Sequence, residues 1–349
     1  MAGVNYGALL IFTSQLSAMV GANLPLVRIL DGLSKEALSR GLLNVIRTVK
    51  KDVESGVDFG YAISQFPKVF DAIYVNMVKA GMATGRLDRT LKQLTEYMVK
   101  TSETKGKLKS AFAYPLFMLG FLGVVFFLMV FKILPTFQKM FASFGDRPLP
   151  LPTRVMIASG HFVSDNIHWI LISVAVIVAA VVFVLKNQTT RFYWDKYKLR
   201  LPLLGELMRK GSMGKFLRAF AVLTQSEVLI LDSLNLVASA GYNKYLEFKI
   251  LQAAQAIERG ASVAGAFMKT GFFPDIVIQM ISSGEETGEL GDLLESAANF
   301  YDDQVEGTIR SIVALINPVI TLLVGGMIGL MMVSIFLPIF ELGGAIRGR

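Results

Sequence analysis

Five carboxylates crowd one short stretch of this 349-residue chain, Glu285, Glu286, Glu289, Asp292 and Glu295, and paired carboxylates can exchange protons or hold calcium. Their spacing also suits a solvated helix face, the plainer use. Glycines supply a second candidate: Gly81-x-x-Thr84-Gly85 and Gly284-x-x-Thr287-Gly288 recur with the same spacing, and Gly211-Ser-Met-Gly214-Lys215 faintly resembles a phosphate loop. A true phosphate loop places Lys-Ser/Thr directly after its second glycine and follows a strand, and neither is present. Nucleotide hydrolysis by this chain is therefore not expected. The two histidines, His161 and His168, fall at the edge of an apolar stretch, and the absence of cysteine excludes thiolate nucleophiles and Cys-ligated metals. Neither a catalytic residue nor a cofactor or metal site is expected.

The elements behind these residues are strongly apolar. Hydrophobic residues make up 53% of the chain and charged ones 18%, with a net charge of +8. Three stretches lack any charge: 110–131, 166–185 and 311–340. A hydrocarbon core of about 30 Å needs roughly 20 apolar helical residues, so all three are long enough to span. The expected class is all-α and polytopic, with transmembrane helices over 112–134, 167–185 and 315–339. Residues 1–111 and 186–314 form two helical-bundle domains, 135–166 a loop, and 340–349 a tail. No basic residue precedes Arg28, and the apolar run at residues 8–12 breaks at Thr13, so a signal peptide is not expected.

Basic residues set the orientation. Lys92, Lys100, Lys105, Lys107 and Lys109 precede the first span, Lys186, Arg191, Lys196, Lys198 and Arg200 follow the second, and Arg310 precedes the third. The opposite side carries Lys132, Lys139, Arg147, Arg154, Arg347 and Arg349. This bias places the bundles and the N-terminus in the cytoplasm, and the loop and tail in the periplasm. It also accounts for the net charge without a nucleic-acid footprint.

The two bundles repeat one another. At an offset of 204, Phe12 falls on Phe216, Leu30 on Leu234 and Ile46 on Ile250; at 203, Gly81 falls on Gly284, Gly85 on Gly288 and Pro115 on Pro318. Each copy runs into a span at a matched proline, which predicts a duplicated domain, with the 167–185 span returning the chain to the same side. Stripes such as Phe12, Leu16, Met19 and Val20 predict amphipathic helices, and Gly56 and Gly260 predict left-handed helix ends. Gly325-x-x-x-Gly329 offers a close-packing surface in the third span. The charge-free stretches hold no acidic or basic residue in their interior, with Lys132 and His168 only at span ends, which argues against a pump.

Phe12-Thr-Ser-Gln-Leu16, Gly284-Glu-Glu-Thr-Gly-Glu-Leu290, Leu149-Pro-Leu-Pro-Thr-Arg154, Leu201-Pro-Leu-Leu-Gly205 and Leu337-Pro-Ile-Phe340 together resemble the type II secretion protein F family, from about residue 10 to 343. The resemblance implies a non-catalytic inner-membrane platform of a type IV pilus or type II secretion machine. Each cytoplasmic copy would be a bundle of about six helices. The implied partners are a cytoplasmic hexameric assembly ATPase, pilins or pseudopilins, other inner-membrane assembly proteins, membrane lipid and further copies of the chain. Motor docking is expected at Lys100, Lys105, Lys107, Lys196, Lys198, Arg209 and Lys210, although lipid anchoring accounts for many of them equally well. Two departures stand out: an N-terminal stretch carried by many relatives is absent, and Met82 occupies the position of Glu285 in the first copy. A transporter or channel subunit, and a membrane-tethered enzyme using the acidic run, are the alternatives.

Overall fold

The computed structural model describes residues 4–36, 39–133, 135–136, 139, 151–166, 168–169, 172–173, 175–176, 187–240 and 243–347, and the regular elements among them are all helical. Two compact units form: Met1–Lys107 with Arg191–Thr308, and Leu108–Thr190 with Ile309–Arg349.

In the first unit the chain makes α1 (Tyr6–Gly21), α2 (Leu26–Glu36), α3 (Arg40–Glu54), α4 (Phe59–Ser64), α5 (Ala72–Ala83) and the start of α6 (Leu87–Leu128). After α8 (Gln188–Lys198) it makes α9 (Leu204–Gln225), α10 (Ile230–Ser239), α11 (Lys244–Glu258), α12 (Val263–Lys269), α13 (Asp275–Thr287) and the start of α14 (Leu290–Arg347). Both ends of α3 and α11 differ by 204 residues. Short polar side chains begin these helices by accepting the first free amides: Ser39 Oγ takes the Leu42 amide at 3.2 Å, and Asn243 Oδ1 takes those of Tyr245 and Leu246 at 2.9 and 3.0 Å. Left-handed residues end them in matching places, Asn23 with Glu227, Gly56 with Gly260, and Gly85 with Gly288.

The amphipathic faces meet in one hydrophobic core that includes both halves. Phe12 lies 6.4 Å from Phe70, and Phe70 lies 4.9 Å from Tyr74. The second half is richer in rings: Phe267 lies 5.7 Å from Phe216 and 4.6 Å from Phe273. Each fully buried phenylalanine contributes on the order of 2 kcal/mol of transfer free energy. At α5 the two halves are in direct contact, through α9 and α10. Arg86 pairs with Glu227 across this seam, and Ser226 Oγ lies 3.0 Å from Gln93 Oε1.

The second unit contains the remainder of α6, a π-helical turn (Met129–Ile133), α7 (Leu151–Asp165) and the remainder of α14. Met129, Val130, Met156 and Met331 form a small core, beside which Thr153 Oγ1 donates to the Ser334 carbonyl at 2.9 Å. A Cβ on Gly160 would stand 1.9 Å from Val130 Cγ1, so α7 depends on that glycine for its approach. Elsewhere the apolar side chains face outward, Phe117 69% and Leu322 77% exposed. A soluble core helix hides such residues; these two helices are long and apolar enough to cross a membrane, and their surfaces suit lipid. Pro115 lies inside α6, a placement tolerated in membrane helices.

Most of the expected second span lies outside the described residues, although residues 168–169, 172–173 and 175–176 within it are helical. The expected 135–166 loop contains the 15-residue α7, with Pro152 in its first turn where no amide is required. Helix α14 continues to Arg347, beyond the expected end at residue 339. Gly325 and Gly329 have nothing within 4 Å of an added Cβ.

Candidate partner-binding surface

Each of the seven basic residues expected to dock a partner already engages a neighbour. On α6, Lys100 Nζ lies 3.9 Å from Glu103, Lys105 Nζ stands 4.6 Å above the Tyr6 ring, and Lys107 pairs with Glu306. Bonding to Glu306 holds the Lys107 ammonium above its ordinary pKa. On α8, Lys196 Nζ is 5.6 Å from the Tyr245 ring and Lys198 pairs with Asp195. On α9, Arg209 Nη2 donates to the Phe272 carbonyl at 3.2 Å, and Lys210 Nζ lies 2.6 Å from Glu206 and 3.1 Å from both Gln304 Oε1 and Thr308 Oγ1. Lys107 and Lys210 thus meet the same stretch of α14, residues 304–308. Between exposed groups such pairs stabilise by no more than about 1 kcal/mol and break readily when a better anion arrives.

Two buried charges escaped the sequence reading. Arg218, 6% exposed, donates to Asp302 and, at 3.1 Å, to Asn299 Oδ1, joining α9 to α14. Asp195, 2% exposed, takes the Lys244 amide on Oδ2 at 2.7 Å while its carbonyl takes Asn243 Nδ2 at 3.2 Å, holding α8 against the start of α11. The capping asparagine was a usable signal for the second; nothing in the spacing marked the first.

The repeated glycine motifs form tight corners between α5 and α6 and between α13 and α14. Thr84 and Thr287 Oγ1 each bond back one turn, to Ala80 and Ser283 carbonyls at 2.9 Å. A Cβ on Gly284 would lie 2.7 Å from Leu290 Cα, and one on Gly81 2.7 Å from Thr90 Oγ1. Only hydrogen fits there. The following Gly85 and Gly288, at φ 70° and 76°, reverse the chain.

The acidic run divides. Glu285 reaches across to α12, where Oε1 takes the Val263 amide at 2.8 Å and Oε2 the Ala264 amide at 3.1 Å. Asp292 Oδ1 and Glu295 Oε2 both accept from Gln225 Nε2, at 2.9 and 2.8 Å. Among the described residues no three acidic or histidine side chains converge as a metal site. Lys215, from the phosphate-loop lookalike, sits inside helix α9, and burial, with the Lys105 ammonium second, lowers its pKa.

Between α6 and α14 in the second unit runs a groove of about 660 Å³, lined by Tyr114, Met118, Asn317, Ile320, Thr321, Val324 and Gly325. It is apolar with three polar groups, and the matched prolines lie next to Tyr114 and Asn317.

Charges tied up in structural pairs, glycine corners and two long apolar helices define a helical, membrane-type scaffold. The chain belongs to the type II secretion system protein F family. The family described as "Type II secretion system (T2SS), protein F" matches twice, over residues 12–135 and 216–338. "Type IV pilus assembly protein PilC" of Myxococcus xanthus is 35% identical over 345 residues, covering 99% of this chain and 82% of that protein. The protein of the same name from Thermus thermophilus is 33% identical, covering 97% and 83%. "Type II secretion system protein F" of Vibrio cholerae is 27% identical, covering 97% and 84%. The family is one of pilus and secretion assembly components, and no catalytic activity is indicated.

Proposed function

We propose that this chain is the inner-membrane platform of a type IV pilus or type II secretion machine, coupling a cytoplasmic assembly ATPase to the extraction of pilins or pseudopilins into a filament. The carrying observation is likeness to assembly proteins along nearly the whole chain. Two cytoplasmic copies of one helical domain, three membrane spans and a cytoplasmic N-terminus complete the reading. The matched helix bounds and left-handed positions favour duplication, and the basic residues flanking the spans favour this orientation.

Motion would pass along helices that begin in the cytoplasmic copies and continue as spans. Helix α6 runs unbroken from Leu87 to Leu128, with Gly106 as its weak point. The seven basic residues would trade their present partners for acidic groups of the motor, while lipid headgroups compete for the same charges.

Crosslinking in cells, with identification of the captured proteins, tests the reading. An assembly ATPase and a pilin among them support it; ion flux through the purified protein in liposomes, without such partners, would replace it with a channel. A flexible Gly/Ser insertion at Thr104–Gly106 should abolish filament assembly while ATPase binding persists. Unimpaired assembly in that variant refutes coupling through α6.

A further inference from the structure

Among the described residues the two halves of the first unit meet asymmetrically. The α5–α6 side of the first half covers the α9–α10 corner of the second, with Arg86 on Glu227 and Gln93 beside Ser226. A groove of about 470 Å³ on this seam places Lys79 and Ala83 of α5 opposite Asp232 of α10. The matching surfaces, α13–α14 of the second half and the α1–α2 corner of the first, are exposed. Tyr97 on α6 is 9% exposed at the seam, whereas Phe300, at its place on α14, is 43% exposed. Leu24, which occupies in the α1–α2 corner the place of the half-buried Val228, is also exposed.

We propose that the α1–α2 corner of one chain docks on the α13–α14 surface of a second copy, repeating between molecules the contact that joins the two halves within one. A contact using two different patches leaves one free patch of each kind on every chain, so it builds rings or rows rather than closed two-fold pairs. The internal seam is the template, and charge supports the fit. Inside the chain, cations on the α5–α6 side (Lys79, Arg86) face acids at the corner (Glu227, Asp232). At the matching free positions the charge reverses at Asp232 and at Arg86, while Lys79 and Glu227 give way to the neutral Ser282 and Asn23. Arg28 stands at the place of Asp232, Glu286 at that of Ala83, and Glu289 at that of Arg86. A free corner therefore brings Arg28 to Glu286, and Asn23, at the place of Glu227, to Glu289. The same charges oppose the α1–α2 corner docking on the α5–α6 side of another copy, where Arg28 would meet Lys79 and Arg86.

The absence of cysteine makes the test direct. Two full-length chains of different mass, one carrying Arg28→Cys and the other Glu286→Cys, are co-expressed and treated in membranes with a short bismaleimide. Ala83→Cys with Asp232→Cys in one chain checks the template. Expected is a mixed dimer at least tenfold above the crosslinking of either variant alone, and a ladder of larger products when both cysteines occupy one chain. No mixed dimer under conditions that close the internal pair overturns the proposal. So does Arg28→Cys crosslinking to itself as efficiently as in the mixture, the mark of a two-fold contact. By mass photometry in nanodiscs, Arg28→Glu should reduce the larger species at least threefold, and Arg28→Glu with Glu286→Arg should restore them. An unchanged mass distribution in Arg28→Glu refutes the charge pairing.

Discussion

Replacing Glu285 with methionine, the residue at the same place in the first half, should loosen α12 by a calculable amount. Three free amides at the start of this seven-residue helix have acceptors: Glu285 takes those of Val263 and Ala264, and Ser262 Oγ takes that of Gly265 at 3.1 Å. In Glu285→Met the first two revert to water, and the helix loses a negative charge at its positive end. Lost caps cost about 1 kcal/mol and the charge about 0.3–1 kcal/mol at an exposed site, so about 1–2 kcal/mol is expected. For a unit of this size that is a fall in Tm of about 2–8 °C, read in detergent. Exchange of the Val263 and Ala264 amides should accelerate alongside. The first half indicates the rescue. There α4 is capped by Asp58, whose Oδ1 takes the Tyr61 amide at 3.0 Å, while Met82 packs on the core. Each half thus supplies one carboxylate to this helix start, from a different place in the chain. Ser262→Asp added to Glu285→Met should recover about half of the loss, the charge contribution, and high salt should shrink that recovery. Unchanged Tm and unchanged amide exchange in Glu285→Met would refute the assignment of Glu285 as a cap.

Gly284→Ala places a methyl group 2.7 Å from Leu290 Cα and should cost about 1–3 kcal/mol by thermal unfolding; Gly106→Ala, with nothing within 4 Å, should instead stabilise α6 by up to about 1 kcal/mol. Asp302→Asn strips the carboxylate from buried Arg218 and should destabilise the first unit by about 3 kcal/mol, whereas Arg218→Met with Asp302→Leu should restore most of it. Hydrogen bonds from Lys35 and then Lys50 lower the Asp31 carboxyl from 3.8 to about 2. Because its folded-state pKa is depressed, this pairing stabilises fully above about pH 4 and is lost as pH falls through about 2. An NMR titration should place the Asp31 midpoint near 2, and Lys50→Met should move it upward; a midpoint near 4 in the wild-type chain would contradict the pairing.

Much of the fold was legible because helix ends are local. Gly56 and Gly260 announce their boundaries through chemistry confined to one turn, and the 203–204 offset carries that punctuation from one half to the other; Asp58, Asp71 and Asn243 cap helix starts by equally local chemistry that the sequence reading did not use. Helix α7 was not legible, since Pro152, Gly160 and the polar ends of 151–165 look like loop until packing against Val130 gives the glycine a purpose. The acidic run was read as a solvated face, yet Glu285 spends both oxygens on amides 21 and 22 residues upstream. No local pattern reveals a bond of that reach.

The basic residues show a different limit, one of counting against pairing. Positive residues beside a span bear on orientation whatever they touch, because orientation depends on the sum of charges near the bilayer. Docking depends on which charges remain available, and that is decided by carboxylates far away in sequence: Glu306 for Lys107, and Asp302 for Arg218. The exposed pair differs from the buried one in what a partner could do with it. Displacing Glu306 from Lys107 leaves both groups in water and costs about 1 kcal/mol or less. Displacing Asp302 from Arg218 strands a buried guanidinium and costs about 3 kcal/mol. A motor gripping this surface would therefore exchange the Lys107 pair and leave the α9–α14 pair intact, so charge reversal at Lys107 should weaken partner binding with little effect on Tm. The opposite pattern, lost stability with retained binding, would make Lys107 a strut rather than a docking group.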